Sequence, residues 1–111
     1  MKYSESLKKN KDFQQVYRRG KSYANRYLVM YILENHLNKN RLGISVSKKV
    51  GNSIVRHRLA RLIRESYRLQ EDRYRCGIDI VVIARIGAKE KPYKDIDGAM
   101  LHLAGLHNII D

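Results

Sequence analysis

The chain has one cysteine (Cys76), one proline (Pro92), one phenylalanine (Phe13) and no tryptophan. A single cysteine excludes an internal disulfide and any multi-cysteine zinc site. The four histidines, His36, His57, His102 and His107, form no HExxH pair and have no carboxylate at ligand spacing. A metal held by the protein alone is therefore not expected. No run approaches the roughly 20 apolar residues of a membrane span. The opening MKYSESLKKNKD has no apolar signal-peptide core. A cytoplasmic location and no membrane partner are the expectations. Repeats, low-complexity tracts and linkers are also missing, and 111 residues suffice for one modest core. The chain is expected to be a single domain over residues 1–111, with the polar residues 1–8 flexible or wrapped on a partner.

Acidic side chains are scarce as well. Lys and Arg total 23 against 11 Asp and Glu, a net charge of +12. Such an excess is self-repulsive and suits a polyanion.

That charge is concentrated in Lys48 to Arg68, KKVGNSIVRHRLARLIRESYR. Gly51 and Asn52 make a turn, and Asn52 or Ser53 caps a helix by accepting from a free amide. At about 100° per residue, Val55, Leu59, Leu62, Ser66 and Leu69 share one side, with Ile63 at its edge. His57, Arg61, Arg64 and Arg68 lie opposite, flanked by Arg56 and Arg58. A solvated helix face usually alternates charge, because oppositely charged i,i+4 pairs are stabilising and like pairs repel. Here only Glu65 interrupts the basic series. Arginine's planar fork matches phosphate in a bidentate manner and stacks on bases. The face is built for an external polyanion.

Before this helix, Asn10 caps a short helix from Lys11 to Arg19, stopped by Gly20. Phe13, Val16 and Tyr17 share its face. Core packing accounts for Val16. For Phe13 and Tyr17 it competes with a stacking platform for single-stranded bases. Lys21 to Asn25 reads as an edge strand or turn. Arg26 to Leu33 alternates, with Tyr27, Val29, Tyr31 and Leu33 on one face and Leu28, Met30 and Ile32 on the other. Both faces are apolar, so this strand is central. Arg41 to Lys49 is a strand with Leu42, Ile44 and Val46 on one side and Gly43, Ser45, Ser47 and Lys49 on the other. Small hydroxyl side chains beside Tyr27 or Tyr31 leave a groove that fits an extended nucleic-acid strand, unless this is simply an exposed sheet face. Ile78 to Ala84 is a buried strand, and Pro92 leads into a helix from Tyr93 to Ile109. Ile96, Ala99, Met100, Leu103 and Leu106 or His107 form its buried stripe. Helix, two or three strands, helix, strand, helix makes an α+β sandwich with a mostly antiparallel sheet.

The stretch LGISVSKKVGNSIVRHRLARLIRE closely resembles the signature of the bacterial ribonuclease P protein subunit: a serine-bearing strand, a Lys-Lys-x-Gly-Asn turn and an Arg-Asn-Arg helix. DFQQVYRRGKSYANRYLVMY and DIVVIAR are similar to that family too, and the resemblance runs from about Leu7 to His107. It implies a two-layer αβββαβα fold: a four-stranded sheet, three helices and a left-handed βαβ crossover. Physics alone predicts the opposite hand, since about 98% of such crossovers are right-handed. It also implies a role as cofactor of a catalytic RNA that removes the 5′ leader of precursor tRNA. The protein alone is then not catalytic, and Mg2+ is held mainly by the RNA. The groove set would be Phe13, Tyr17, Tyr31, Ser45 and Ser47. The set facing the catalytic RNA would be Lys48, Lys49, Arg56, His57, Arg58, Arg61, Arg64 and Arg68. Two residues depart from the family pattern: His57 stands where Asn is usual and Ala60 where Lys is common. Imidazole lacks the amide's paired donor and acceptor, but the surrounding arginines remain, so function is expected to survive. The competing classes are a ribosomal or RNA-chaperone module and, more remotely, a protein-only nuclease using His57 or His102 as a base.

Overall fold

A computed structural model describes residues 1–111. Helix α1 is Asn10–Arg19, α2 is Ser53–Gln70 and α3 is Tyr93–Leu106. The strands are β1 (Ser4–Ser6), β2 (Lys21–Ala24), β3 (Leu28–Glu34), β4 (Asn40–Ser45) and β5 (Ile78–Ala84). They form one sheet in the order β1-β4-β5-β3-β2. The central strand, β5, is antiparallel to β3, with Val29 opposite Ile83 and Tyr31 opposite Val81. β4 runs parallel to β5, and α2 connects the two.

The sheet has five strands rather than four, and it is mixed rather than mostly antiparallel, because β1–β4 and β4–β5 are both parallel. The extra strand comes from residues expected to be flexible. Ser-Glu-Ser has no hydrophobic alternation to betray a strand. It is held by the bonding edge of β4, by Leu7 N–H on the Leu42 carbonyl at 2.9 Å, and by the buried Glu71 carboxylate. That carboxylate accepts the backbone N–H groups of Lys2 at 2.7 Å and Tyr3 at 2.9 Å. Each of these partners is remote in sequence.

The main core lies between one sheet face and α2 with α3. Leu28, Met30, Ile32, Leu42, Ile80 and Val82 supply the sheet side. The α2 stripe is rotated from the expected one. Leu59, Ile63, Ser66 and Tyr67 are buried, whereas Leu69 is 57% exposed. Tyr67 turns inward because its hydroxyl finds Ser4 Oγ at 2.6 Å and accepts from Asn40 Nδ2 at 3.1 Å. Ser66 tolerates burial by donating to Asp97 Oδ1 at 2.7 Å, a link from α2 to α3. α3 ends at Leu106 rather than Ile109. Asn108 takes a left-handed φ of 59°, and the chain turns back there. His107 donates through Nε2 to the Met30 carbonyl.

α1 packs on the opposite sheet face. Its Val16 is fully buried in a small cluster with Leu7 and Val81. The expected two layers are thus joined by a partial third, and this single short helix leaves much of its sheet face uncovered. Asn10 opens α1 instead of capping it; Lys9 occupies the cap position and makes no side-chain bond.

Candidate nucleic-acid interface

The uncovered face beside α1 is lined by alternate residues of β4. Arg41, Gly43 and Ser45 point to this side, because Leu42 and Ile44 enter the main core. Phe13 of α1 lies directly over Gly43. A β-carbon at residue 43 would fall 2.7 Å from Cε1 and Cζ of its ring. Tyr17 meets Tyr31 edge-on, with ring centroids 5.2 Å apart, and Phe13 follows at 6.3 Å from Tyr17. All three rings are partly buried, so they pack against the sheet and still offer area to a ligand. The two alternatives for Phe13 and Tyr17 are therefore compatible. Ser45 stands on the floor, partly buried.

Strand β4 stops at Ser45, short of the expected Lys49. Val50 is buried, and its N–H bonds the Ser47 carbonyl at 3.1 Å. Burying Val50 requires the chain to turn, which carries Ser47, Lys48 and Lys49 off the sheet and leaves them exposed. They lie in the connection between the end of β4 at Ser45 and the first turn of α2 at Ser53. Asn52 caps that turn, its Oδ1 accepting from Val55 N–H at 3.0 Å.

The basic residues of α2 fall into three groups. Ile54, His57, Arg58 and Arg61 line one open depression of about 420 Å³. Ile54, 77% exposed at its edge, is an apolar contact that sequence periodicity did not single out. Arg61, Arg64 and His57 are exposed without ion-pair partners, so their charge or donors are available. Arg58 is tied through Nη2 to the Lys91 carbonyl at 2.9 Å, and Arg56 is partly buried with Nε enclosed and unpartnered. Arg68 stands apart at the far end of the helix, in an exposed pair with Glu65. That pair weakens the claim of Arg68 on an external anion.

One member of this surface escaped the sequence reading. Arg41 shares the groove face but donates Nε and Nη2 to the two carboxylate oxygens of Asp79, at 2.8 and 2.6 Å. Hydrogen bonding to Asp79 raises the guanidinium's pKa above its ordinary value. A strand arginine and a strand aspartate 38 positions apart give no local sequence signal. His102 faces the Asn25 amide at 3.2 Å, on α3. No three His, Cys, Asp or Glu side chains come together as a metal-ligand set, and no helix is long and apolar enough to cross a membrane.

Comparison with known proteins gives a consistent result. A family model described as ribonuclease P matches residues 1–106. The ribonuclease P protein component of Lachnoclostridium phytofermentans is 62% identical over 107 residues, covering 96% of this chain and 92% of that protein. The corresponding component of Clostridium botulinum strain Loch Maree is 56% identical over 106 residues, covering 92% of this chain and 96% of that protein. Among solved structures, the ribonuclease P protein of Staphylococcus aureus superposes with a TM-score of 0.89 at 38% identity, covering 96% of this chain and 97% of that one. The Thermotoga maritima protein gives 0.81 at 31% identity, over 87% and 92%.

Proposed function

This chain belongs to the ribonuclease P protein family, and from that premise we propose how its two surfaces divide the work. As the protein component of ribonuclease P, it is a subunit of an endoribonuclease whose catalysis resides in RNA, it associates with that RNA, and it serves tRNA 5′ processing. The groove of Phe13, Tyr17, Tyr31 and Ser45, with Ser47 at its mouth, binds the single-stranded leader of precursor tRNA. Lys48, Lys49 and the α2 residues Arg56, His57, Arg58, Arg61 and Arg64 face the catalytic RNA. Arg68 contributes less, because Glu65 already neutralises it.

The observation that carries this reading is the open aromatic groove ending at unpaired cations. Aromatic rings stack on any base, which suits a leader of variable sequence. The cations replace the counterions of RNA phosphates. Phosphodiester hydrolysis wants metal-activated water and stabilisation of developing charge. In this reading Mg2+ is held by RNA phosphates, and the protein lowers RNA–RNA repulsion and grips the leader. Gripping remote substrate improves affinity without altering the reacting groups.

The test is cleavage of precursor tRNA at low magnesium by catalytic RNA alone, protein alone and both together, with long and one-nucleotide leaders. The expected result is cleavage at the mature 5′ end only with both present, and a protein-dependent gain in affinity that grows with leader length. A gain independent of leader length would remove the groove from the proposal.

A further inference from the structure

We propose that Arg41 is a positioning residue for the groove: it grips Asp79 of β5 and Asp12 of α1, and so seats Phe13 over Gly43. The inference rests on the leader-groove reading above and adds to it the device that keeps the groove in shape.

Arg41 is placed by two strands. Its fork meets Asp79 in a bidentate pair, and Asp79 Oδ1 also accepts from Asn35 Nδ2 at 2.9 Å. The Asp79 side chain is only 4% exposed. A bidentate arginine on a buried carboxylate has a fixed direction, unlike a lysine on a flexible stem. The remaining nitrogen, Nη1, lies 3.6 Å from Asp12 Oδ2 in the first turn of α1. Asp12 immediately precedes Phe13.

The chain entering α1 is anchored by the buried Leu7, whose N–H bonds the Leu42 carbonyl. The first turn itself has no side-chain cap, and the one fully buried residue of the helix, Val16, lies a turn further on. The Asp12–Arg41 pair is the side-chain tie between that first turn and β4. Arg41 and Gly43 are two residues apart on the same face of β4, so the clamp and the seat of the ring share one rigid strand. Loosening the clamp frees the ring from its seat over Gly43. Because the charge of Arg41 is already met by Asp79, Arg41 is not a phosphate contact. Its loss should leave the salt dependence of RNA binding unchanged, which separates it from the α2 arginines.

The experiment uses the reconstituted holoenzyme carrying Asp12→Asn, Arg41→Lys, Phe13→Ala or Asp12→Asn with Phe13→Ala. Asp12→Asn keeps the size of a partly exposed side chain and removes its charge, a milder change than the loss of the bidentate pair on buried Asp79, so it stays testable should Arg41→Lys fold poorly. The expected result for Asp12→Asn is a higher KM for a long-leader substrate, by about threefold or more as part of the stacking contribution of Phe13. Its kcat, its KM for a one-nucleotide leader and its salt slope should not change. In the Phe13→Ala background Asp12→Asn should add nothing. A full additive effect there, or an unchanged long-leader KM, would overturn the assignment. Nuclear Overhauser contacts between the Phe13 ring and the Gly43 α-protons report seating in the free protein. Their loss in Asp12→Asn supports positioning, and their retention counts against it. Lost contacts combined with a Phe13→Ala enzyme indifferent to leader length would uphold positioning and sink the leader reading instead.

Discussion

The Phe13 ring occupies the space that a side chain at Gly43 would need: a β-carbon there would be 2.7 Å from the ring and 3.2 Å from Leu7 Cβ. The groove therefore depends on the absence of a methyl group. Gly43→Ala should push Phe13 outward, destabilise the protein by about 1–3 kcal/mol as an overpacked site does, and weaken long-leader substrates most. Denaturant unfolding and leader-length-dependent binding check the two parts separately. Unaltered leader dependence would mean that the ring position does not matter to binding.

Arg61 and Arg64 are exposed and unpaired, whereas Arg68 is engaged by Glu65. Replacing Arg61 or Arg64 by Ala should flatten the salt dependence of catalytic-RNA binding by about 0.7–0.9 log unit per lost phosphate contact. Arg68→Ala should change the slope less. A potassium chloride titration of each variant makes the comparison, and equal slopes for all three would contradict the grouping.

Asn52 is the cap of α2, with its side chain on the Val55 amide. Asn52→Ala should lower stability by about 1 kcal/mol, and Asn52→Asp should retain most of it. Thermal or denaturant melts measure this. The first turn of α2 contains no acidic residue, so an aspartate there would also place the wrong charge toward the RNA. Asn52→Asp should therefore keep the fold and weaken RNA binding.

Glu71 fastens the N-terminal strand. Burial pushes its carboxyl pKa up, but bonds from Ser4 and from the backbone N–H groups of Lys2 and Tyr3 outweigh this and hold it below the ordinary 4.5. A lowered folded-state pKa means that the stabilisation is complete above about pH 4.5 and is lost as the pH falls through the folded value. The protection of backbone amides around β1, taken relative to the intrinsic exchange rate at the same pH, should therefore fall as the medium is acidified below that point. Glu71→Gln should remove most of that pH dependence. Protection at β1 that ignores both changes would rule out the latch.

Local chemistry made much of this protein legible from its sequence. The alternation in β3 separated Tyr31 from Met30 and Ile32 correctly, because strand periodicity acts residue by residue. The same logic put Gly43 and Ser45 on one face and divided α2 into a buried side and a cationic side. The Lys-Lys-x-Gly-Asn turn and its cap were readable because a cap needs only neighbouring residues. The family resemblance added the catalytic-RNA role, which no periodicity contains.

Other features depended on partners far along the chain. Ser4–Ser6 is a strand only because β4 offers a free edge and Glu71 binds the amides of residues 2 and 3. Tyr67 displaced Leu69 from the core because Ser4 and Asn40 satisfy its hydroxyl. Ser47 left the strand because Val50 had to be buried. Arg41, part of a basic sequence, became a structural clamp because Asp79 stands opposite it on β5. The sequence by itself determined which residues carry charge, rings and hydroxyls, and the faces of Tyr31, Gly43, Ser45 and the α2 arginines, since those follow from local geometry. Only the tertiary structure decided which of those charges stay free for RNA and where the groove opens, because both depend on pairings between residues dozens of positions apart.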